Sequence, residues 1–136
     1  MLHRRLLVVV LVAIAALGAA ACGDDTPAEP IEFGEGSVPA TMPDSIPIPQ
    51  GAAIGSTLVD RINNRTEMSV QARLDYEGLV RFYGIELVNE GFILTESSGD
   101  EFQWTIKFVD GDLIGDVLIA PAGSGLSRAV IGVNRS

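Results

Sequence analysis

Three sets of residues in this 136-residue chain could carry chemistry, and they lie far apart in the sequence. Cys22 is the only thiol, able to act as a nucleophile or an acyl acceptor. Asp110-Gly111-Asp112 with Asp116 is the densest group of carboxylates, the oxygen chemistry that calcium prefers. Tyr76, Tyr83 and Trp104 combine apolar rings with hydrogen-bonding tips, a mixture suited to lining a small-molecule pocket.

Each set is weak as a catalyst. The only histidine, His3, precedes Cys22, and Lys107 is the only lysine, so a serine or threonine nucleophile finds no evident base. The aspartates lack the spacing and closing glutamate of a calcium-binding loop, and Asp110-Gly111 is already explained as a hairpin turn. No metal, cofactor or enzymatic activity is therefore expected. The aromatic set, with Gly115 leaving space beside it, defines a candidate pocket at Tyr83, Trp104 and Gly115.

Charge excludes another class of partner. All eighteen acids follow Cys22, whereas Arg4 and Arg5 precede it, so the chain after Cys22 carries seven basic groups against eighteen acidic ones. A surface this acidic repels phosphate backbones and anionic headgroups, so nucleic-acid binding is not expected and attachment to a membrane must come from something covalent or apolar.

The first 21 residues explain where the apolar excess lies. Met1-Leu2-His3-Arg4-Arg5 is a basic start, and Leu6 to Ala21 contains no charge, which are the parts of a secretory signal. Sixteen residues make a helix of roughly 24 Å, short of a hydrocarbon core of about 30 Å. The run ends in Ala19-Ala20-Ala21-Cys22, which resembles the lipobox of bacterial lipoproteins. That resemblance implies cleavage between Ala21 and Cys22, removal of residues 1–21 as a signal peptide, and transfer of diacylglycerol to the Cys22 thiol with further acylation such as palmitate. It places the chain on the extracytoplasmic face of a bacterial cell membrane, held by a lipid anchor that two or more acyl chains make durable.

Residues 22–50 read as a tether. Six of the seven prolines fall between Pro27 and Pro49, with acids at Asp24, Asp25, Glu29, Glu32, Glu35 and Asp44 and no basic residue. Gly23 to Gln50, 28 residues, would reach about 87 Å as polyproline or roughly 30 Å as a coil. An alternative has Ile46-Pro47-Ile48-Pro49 docking on the domain as an extended edge segment, Ile46 and Ile48 sharing one side.

Residues 51–136 form the single folded domain. Thr57–Arg61 and Thr66–Leu74 flank Asn63-Asn64 as a hairpin, with Val59 facing Met68, Thr57 facing Val70 and Asp60 set unfavourably against Glu67. Asp75 can cap a helix from Tyr76 to Glu90 that Gly91 closes, its core face formed by Tyr76, Leu79, Val80, Tyr83 and Leu87. Four strands follow as a meander: Phe92–Glu96, Phe102–Val109, Leu113–Ala120 and Leu126–Asn134. The turns place Phe108 opposite Leu113, Ile106 opposite Gly115 and Trp104 opposite Val117, then Val117 opposite Ala129 and Gly115 opposite Ile131. One buried face results, made of Phe102, Trp104, Ile106, Phe108, Leu113, Val117, Ile119, Ala129, Ile131 and Val133. An odd-length turn buries Phe92 and Leu94, an even one Ile93. The opposite face, with Gln103, Thr105, Lys107, Asp116 and Arg128, is expected to be wet. The fold class is α+β: an antiparallel sheet of five or six strands (hairpin, helix, four-stranded meander) with one helix packed on one face.

Two functional expectations follow. The helix carries a second apolar stripe, Phe82, Ile85 and Val88, where a sheet-covering helix would be charged, and this is the candidate interaction face. Phe82-Tyr83 to Leu87 with Gly91-Phe92 is also similar to what small uncharacterised bacterial lipoproteins show, a likeness that brings no activity. The chain is thus expected to be a membrane-tethered, non-enzymatic binding or scaffold module that contacts an envelope protein. The alternative is a carrier or sensor of a small apolar ligand held between helix and sheet.

Overall fold

The computed structural model describes Gly23 and residues 26–136. Seven strands, β1 (Ile31–Glu35), β2 (Ala53–Asp60), β3 (Arg65–Ala72), β4 (Ile93–Gly99), β5 (Trp104–Asp110), β6 (Leu113–Gly123) and β7 (Leu126–Arg135), form one sheet in the order β1-β2-β3-β7-β6-β5-β4. Every pairing is antiparallel. Helix α1 (Tyr76–Asn89) connects β3 to the far edge strand β4 and crosses β7, β6 and β5 on the way. Among the described residues the α+β class with one helix holds; the expected five or six strands are corrected to seven, because β1 comes from the stretch read as tether.

The apolar face is the expected one, but its registers differ. Val59 pairs with Thr66 and Thr57 with Met68, so Asp60 meets Arg65 instead of Glu67. The four-residue turn explains the change: Asp60 Oδ1 accepts from the Ile62 and Asn63 N–H groups, and Asn64 takes φ 51°. Phe108 pairs with Gly115, Ile106 with Val117 and Trp104 with Ile119, because Gly111-Asp112 rather than Asp110-Gly111 forms the tip of the β5–β6 hairpin. Val117 meets Ile131, Gly115 meets Val133 and Ile119 meets Ala129 in the same way. Each shift is even, so every side chain keeps its face.

Ile106, Phe108, Val117, Ile119, Ala129 and Ile131 are fully buried. Phe102 is the exception, 71% exposed. It sits in the β4–β5 turn, where Asp100 Oδ1 accepts from its N–H and that of Gln103, at 2.8 and 3.0 Å. Beyond α1, Phe92 is buried and Ile93 exposed, the faces expected of an odd-length turn, but the β4–β5 turn is even, four residues from Asp100 to Gln103; a β-bulge at Thr95 shifts the register by one and so turns Phe92 inward.

Helix α1 begins where expected. Asp75 Oδ1 accepts from Gly78 N–H at 2.7 Å, and Ser127, buried on β7, donates its hydroxyl hydrogen toward the Leu74 and Asp75 carbonyls at 2.6 and 3.1 Å. At the other end Phe92 N–H bonds Leu87 O and Gly91 N–H bonds Val88 O, with Gly91 at φ 97°.

The largest departure concerns residues 31–50, which belong to the folded body and not to a tether. Pro39, Pro43 and Pro49 each start a tight turn, their carbonyls accepting from Met42, Ile46 and Ala52 N–H at 3.0 to 3.1 Å. These turns drive Met42 and Ile46 into the core, with Pro49 buried beside them. Ile48 stays partly exposed, so the docked segment is a chain of turns and not an extended edge strand with Ile46 and Ile48 on one side. The Thr41 and Thr66 hydroxyls, 2.7 Å apart, tie it to β3. Ile46→Ala should therefore cost roughly 2–5 kcal/mol in urea denaturation. A change below about 0.5 kcal/mol, the value for a surface position, would return this segment to the status of spacer.

Candidate functional site

The second apolar stripe of α1 divides in two. Phe82 is half-buried, packed against the core with its ring edge-on to Tyr83 at 5.1 Å and 89°. Ile85 and Val88, three residues apart on one flank, are 51% and 54% exposed. Both lie on a helix capped at each end, so they are presented on a rigid element.

The expected pocket does not form as drawn. Tyr83 is fully buried, and the space left by Gly115 is filled by the Phe108 ring, which a Cβ at position 115 would strike. Phe108 packs in turn against Phe92, centroids 4.9 Å apart. Trp104 lies at the rim, its Nε1–H donating to Ser97 Oγ at 3.0 Å. There, with Tyr76 and Val80, it borders an open cavity of about 520 Å³ whose polar fringe is Glu77, Arg81, Asp100 and Glu101. The Tyr76 hydroxyl donates to Asp100 O at 2.7 Å across one side of that opening. Tyr83, Trp104 and Gly115 are thus not brought together around one space; Tyr76, Val80 and Trp104 are.

The acidic group separates as well. Asp112 lies 4.0 Å from Arg135, while Asp116 turns to the helix-free face and meets Arg65 at 3.2 Å. Among the described residues no three His, Cys, Asp or Glu side chains are placed to hold a metal. Asp116 instead joins a row that crosses the outer face of the sheet through Glu67, Gly132, Asp116, Lys107 and Glu96. The Arg65 guanidinium lies over Gly132, where any side chain would displace it, and bonds Glu67 at 2.6 Å and Asn134 at 2.7 Å. Lys107 meets Glu96 at 2.7 Å; that hydrogen bond, with its charge, holds the exposed Glu96 carboxyl below the usual range. The outer face is less uniformly wet than expected, since Ile93, Val109 and Ile114 stand side by side at one end of it.

A second cavity, of about 340 Å³, opens at that same end, between the Ala40–Thr41 turn and the β2–β3 hairpin. Its walls include Ala40, Val59 and Val133, and Arg61, Arg65 and Arg135 border it. Pattern reading missed this site because its members come from three separate stretches, residues 40–41, 59–66 and 133–135. An excess of arginine near one hairpin was the only available signal.

The chain matches no protein-family model, and no significant similarity links it to a curated protein or a solved structure. Its own geometry therefore carries any functional reading.

One buried group is anomalous. The Tyr83 hydroxyl makes no hydrogen bond to the protein, and burial pushes its pKa well above the ordinary tyrosine value. Tyr83→Phe should be at least as stable as the parent at neutral pH, by up to roughly 1–3 kcal/mol, because it removes an unmatched donor from the interior. Because the folded pKa is raised, the unfolded chain releases this proton first. The parent should lose stability relative to Tyr83→Phe above about pH 10, by about 1.4 kcal/mol per pH unit up to the folded pKa. Urea titrations of both proteins between pH 7 and 11 measure this, and parallel curves would show that the hydroxyl is solvated or bonded.

Proposed function

We propose that this chain is a non-enzymatic binding module, fixed by lipid on Cys22 to the extracytoplasmic face of a bacterial cell membrane, and that it acts through contact with another envelope protein. The contact half of the reading is carried by Ile85 and Val88, two aliphatic side chains left half in water on a rigid, capped helix. Burying both against a partner would release roughly 2–4 kcal/mol, enough to make them the centre of a modest interface. The anchoring half rests on Leu6–Ala21 and Ala19-Ala20-Ala21-Cys22, which lie outside the described residues. Among the described residues no helix is long and apolar enough to cross a membrane.

A carrier of a small apolar ligand is the second reading, and the rim cavity beside Tyr76, Val80 and Trp104 favours it over the closed centre of the core. The two separate experimentally. With a photo-reactive amino acid at Ile85 or Val88, the protein-contact reading expects a crosslinked envelope protein in living cells. The Ile85→Lys, Val88→Lys double variant should shed a partner captured from a neighbouring position while its melting temperature moves by no more than a few degrees. If capture survives the double variant, the helix flank is not the contact. For the anchor, intact mass of the membrane fraction should show cleavage before Cys22 plus acyl chains. Cys22→Ala should remain an unlipidated precursor or leave the membrane, and a native-like retained product of lipidated mass would refute the assignment.

A further inference from the structure

Residues 31–50 belong to the body, so the free connection from Cys22 is short. Gly23 to Pro30 spans at most roughly 30 Å even when fully extended. The place where it enters is defined: Arg61 N–H bonds Pro30 O at 2.8 Å, and the Arg61 guanidinium donates to Glu29 O at 2.7 Å. The end of the sheet that holds the β2–β3 turn, the β5–β6 turn and Arg135 is therefore the end nearest the anchor.

The 340 Å³ cavity opens at that end. Three of the seven basic residues that follow Cys22 border it, in a chain otherwise dominated by acids. The only carboxylate in its lining, that of Asp60, is engaged by Ile62 N–H, Asn63 N–H and the Asn63 side-chain amide. Arg65 is held on the outer face by Glu67, Asp116 and Asn134. Arg61 and Arg135 keep donors to spare: Arg61 has one carboxylate partner, Glu32 at 2.9 Å, and Arg135 has Asp112 at 4.0 Å. Ala40, Val59 and Val133 supply an apolar part of the same lining.

Two arginines bordering a cavity with an apolar wall, at the end of the sheet where the chain from Cys22 enters, fit one chemistry. We propose that this cavity takes the phosphate of a membrane lipid headgroup, with Arg61 and Arg135 donating to the phosphate oxygens and the apolar wall receiving the first carbons of the glycerol ester. The inference rests on the anchoring at Cys22 proposed above. Glu32 and Asp112 compete for the same arginines, so affinity in free solution is low. The short tether compensates by holding the cavity at millimolar effective concentration over the headgroups. The result is a domain with a fixed end toward the membrane, leaving the flank of Ile85 and Val88 for a partner.

The test titrates the full chain, in maltoside micelles, with dihexanoyl-phosphatidylglycerol, and in parallel with inorganic phosphate and with hexanoylglycerol, while NMR follows Thr41, Val59, Thr66 and Val133. The phospholipid should produce saturable shifts at these residues, about tenfold tighter than inorganic phosphate. Arg135→Gln, at an exposed site near the end of β7, should weaken binding about tenfold with the remaining spectrum unchanged; the Arg61→Gln, Arg135→Gln pair should abolish it. Equal shifts with hexanoylglycerol, equal affinity for inorganic phosphate, or no saturable shift would each overturn the headgroup assignment. This titration needs no anchor, so its failure is distinguishable from failure of the Cys22 reading, which the intact mass decides.

Discussion

A single helix is too narrow for this sheet, and the rest of the structure follows from that mismatch. Seven strands at about 4.8 Å spacing present an inner face some 29 Å wide, whereas a helix with its side chains measures about 10–12 Å across. Helix α1 closes the half built from β4 to β7. The other half would expose Met68, Val70 and Val59 to water if residues 39–49 did not fold over it. Burial of Met42 and Ile46 by consecutive proline turns is the solution this chain uses, and it draws β1 into the sheet and fixes where the N-terminal connection arrives.

The faces of the sheet were legible in the sequence because alternation has period two, and the registers were not because turns decide them. Three hairpins were misjudged, each by an even step, since an odd step would have turned Phe108, Val117 and Ile131 into solvent. Asp60 and Gly111 show what was missing. Asp60 closes its own turn with side-chain hydrogen bonds, and Gly111 takes its positive φ as the first residue of the Gly111-Asp112 tip, where an Asp-Gly tip would make it the second. The helix was readable throughout, because its Asp75 cap, its Gly91 stop and the spacing of Leu79, Tyr83 and Leu87 all gave the same answer. Proline misled for a physical reason: a residue that breaks regular elements also starts tight turns, and composition does not distinguish a spacer from a compact series of such turns.

The candidate sites divide along the same line. Ile85 and Val88 could be placed from the helical period alone. The pocket at Tyr83, Trp104 and Gly115 could not, since the ring that fills the space over Gly115 belongs to Phe108, two positions along the strand from the neighbour the assumed register assigned. Arg65, Gly132 and Asp116 are brought together only by the pairing of β3 with β7 and of β7 with β6. Their association could not be seen before the strand order was known. The same is true of Arg61 and Arg135.

Strand β1 also has a mechanical meaning. Its hydrogen bonds to β2 run perpendicular to the chain, and the connection leaves from its first residue along the strand. A pull on that connection along the strand therefore acts on β1 in shear. Its backbone bonds, together with the Arg61 to Glu32 link, share the load at once and are not opened one by one. The first strand thus resists tension on the N-terminal connection before that tension reaches the β3–β7 pairing that joins the two halves of the sheet.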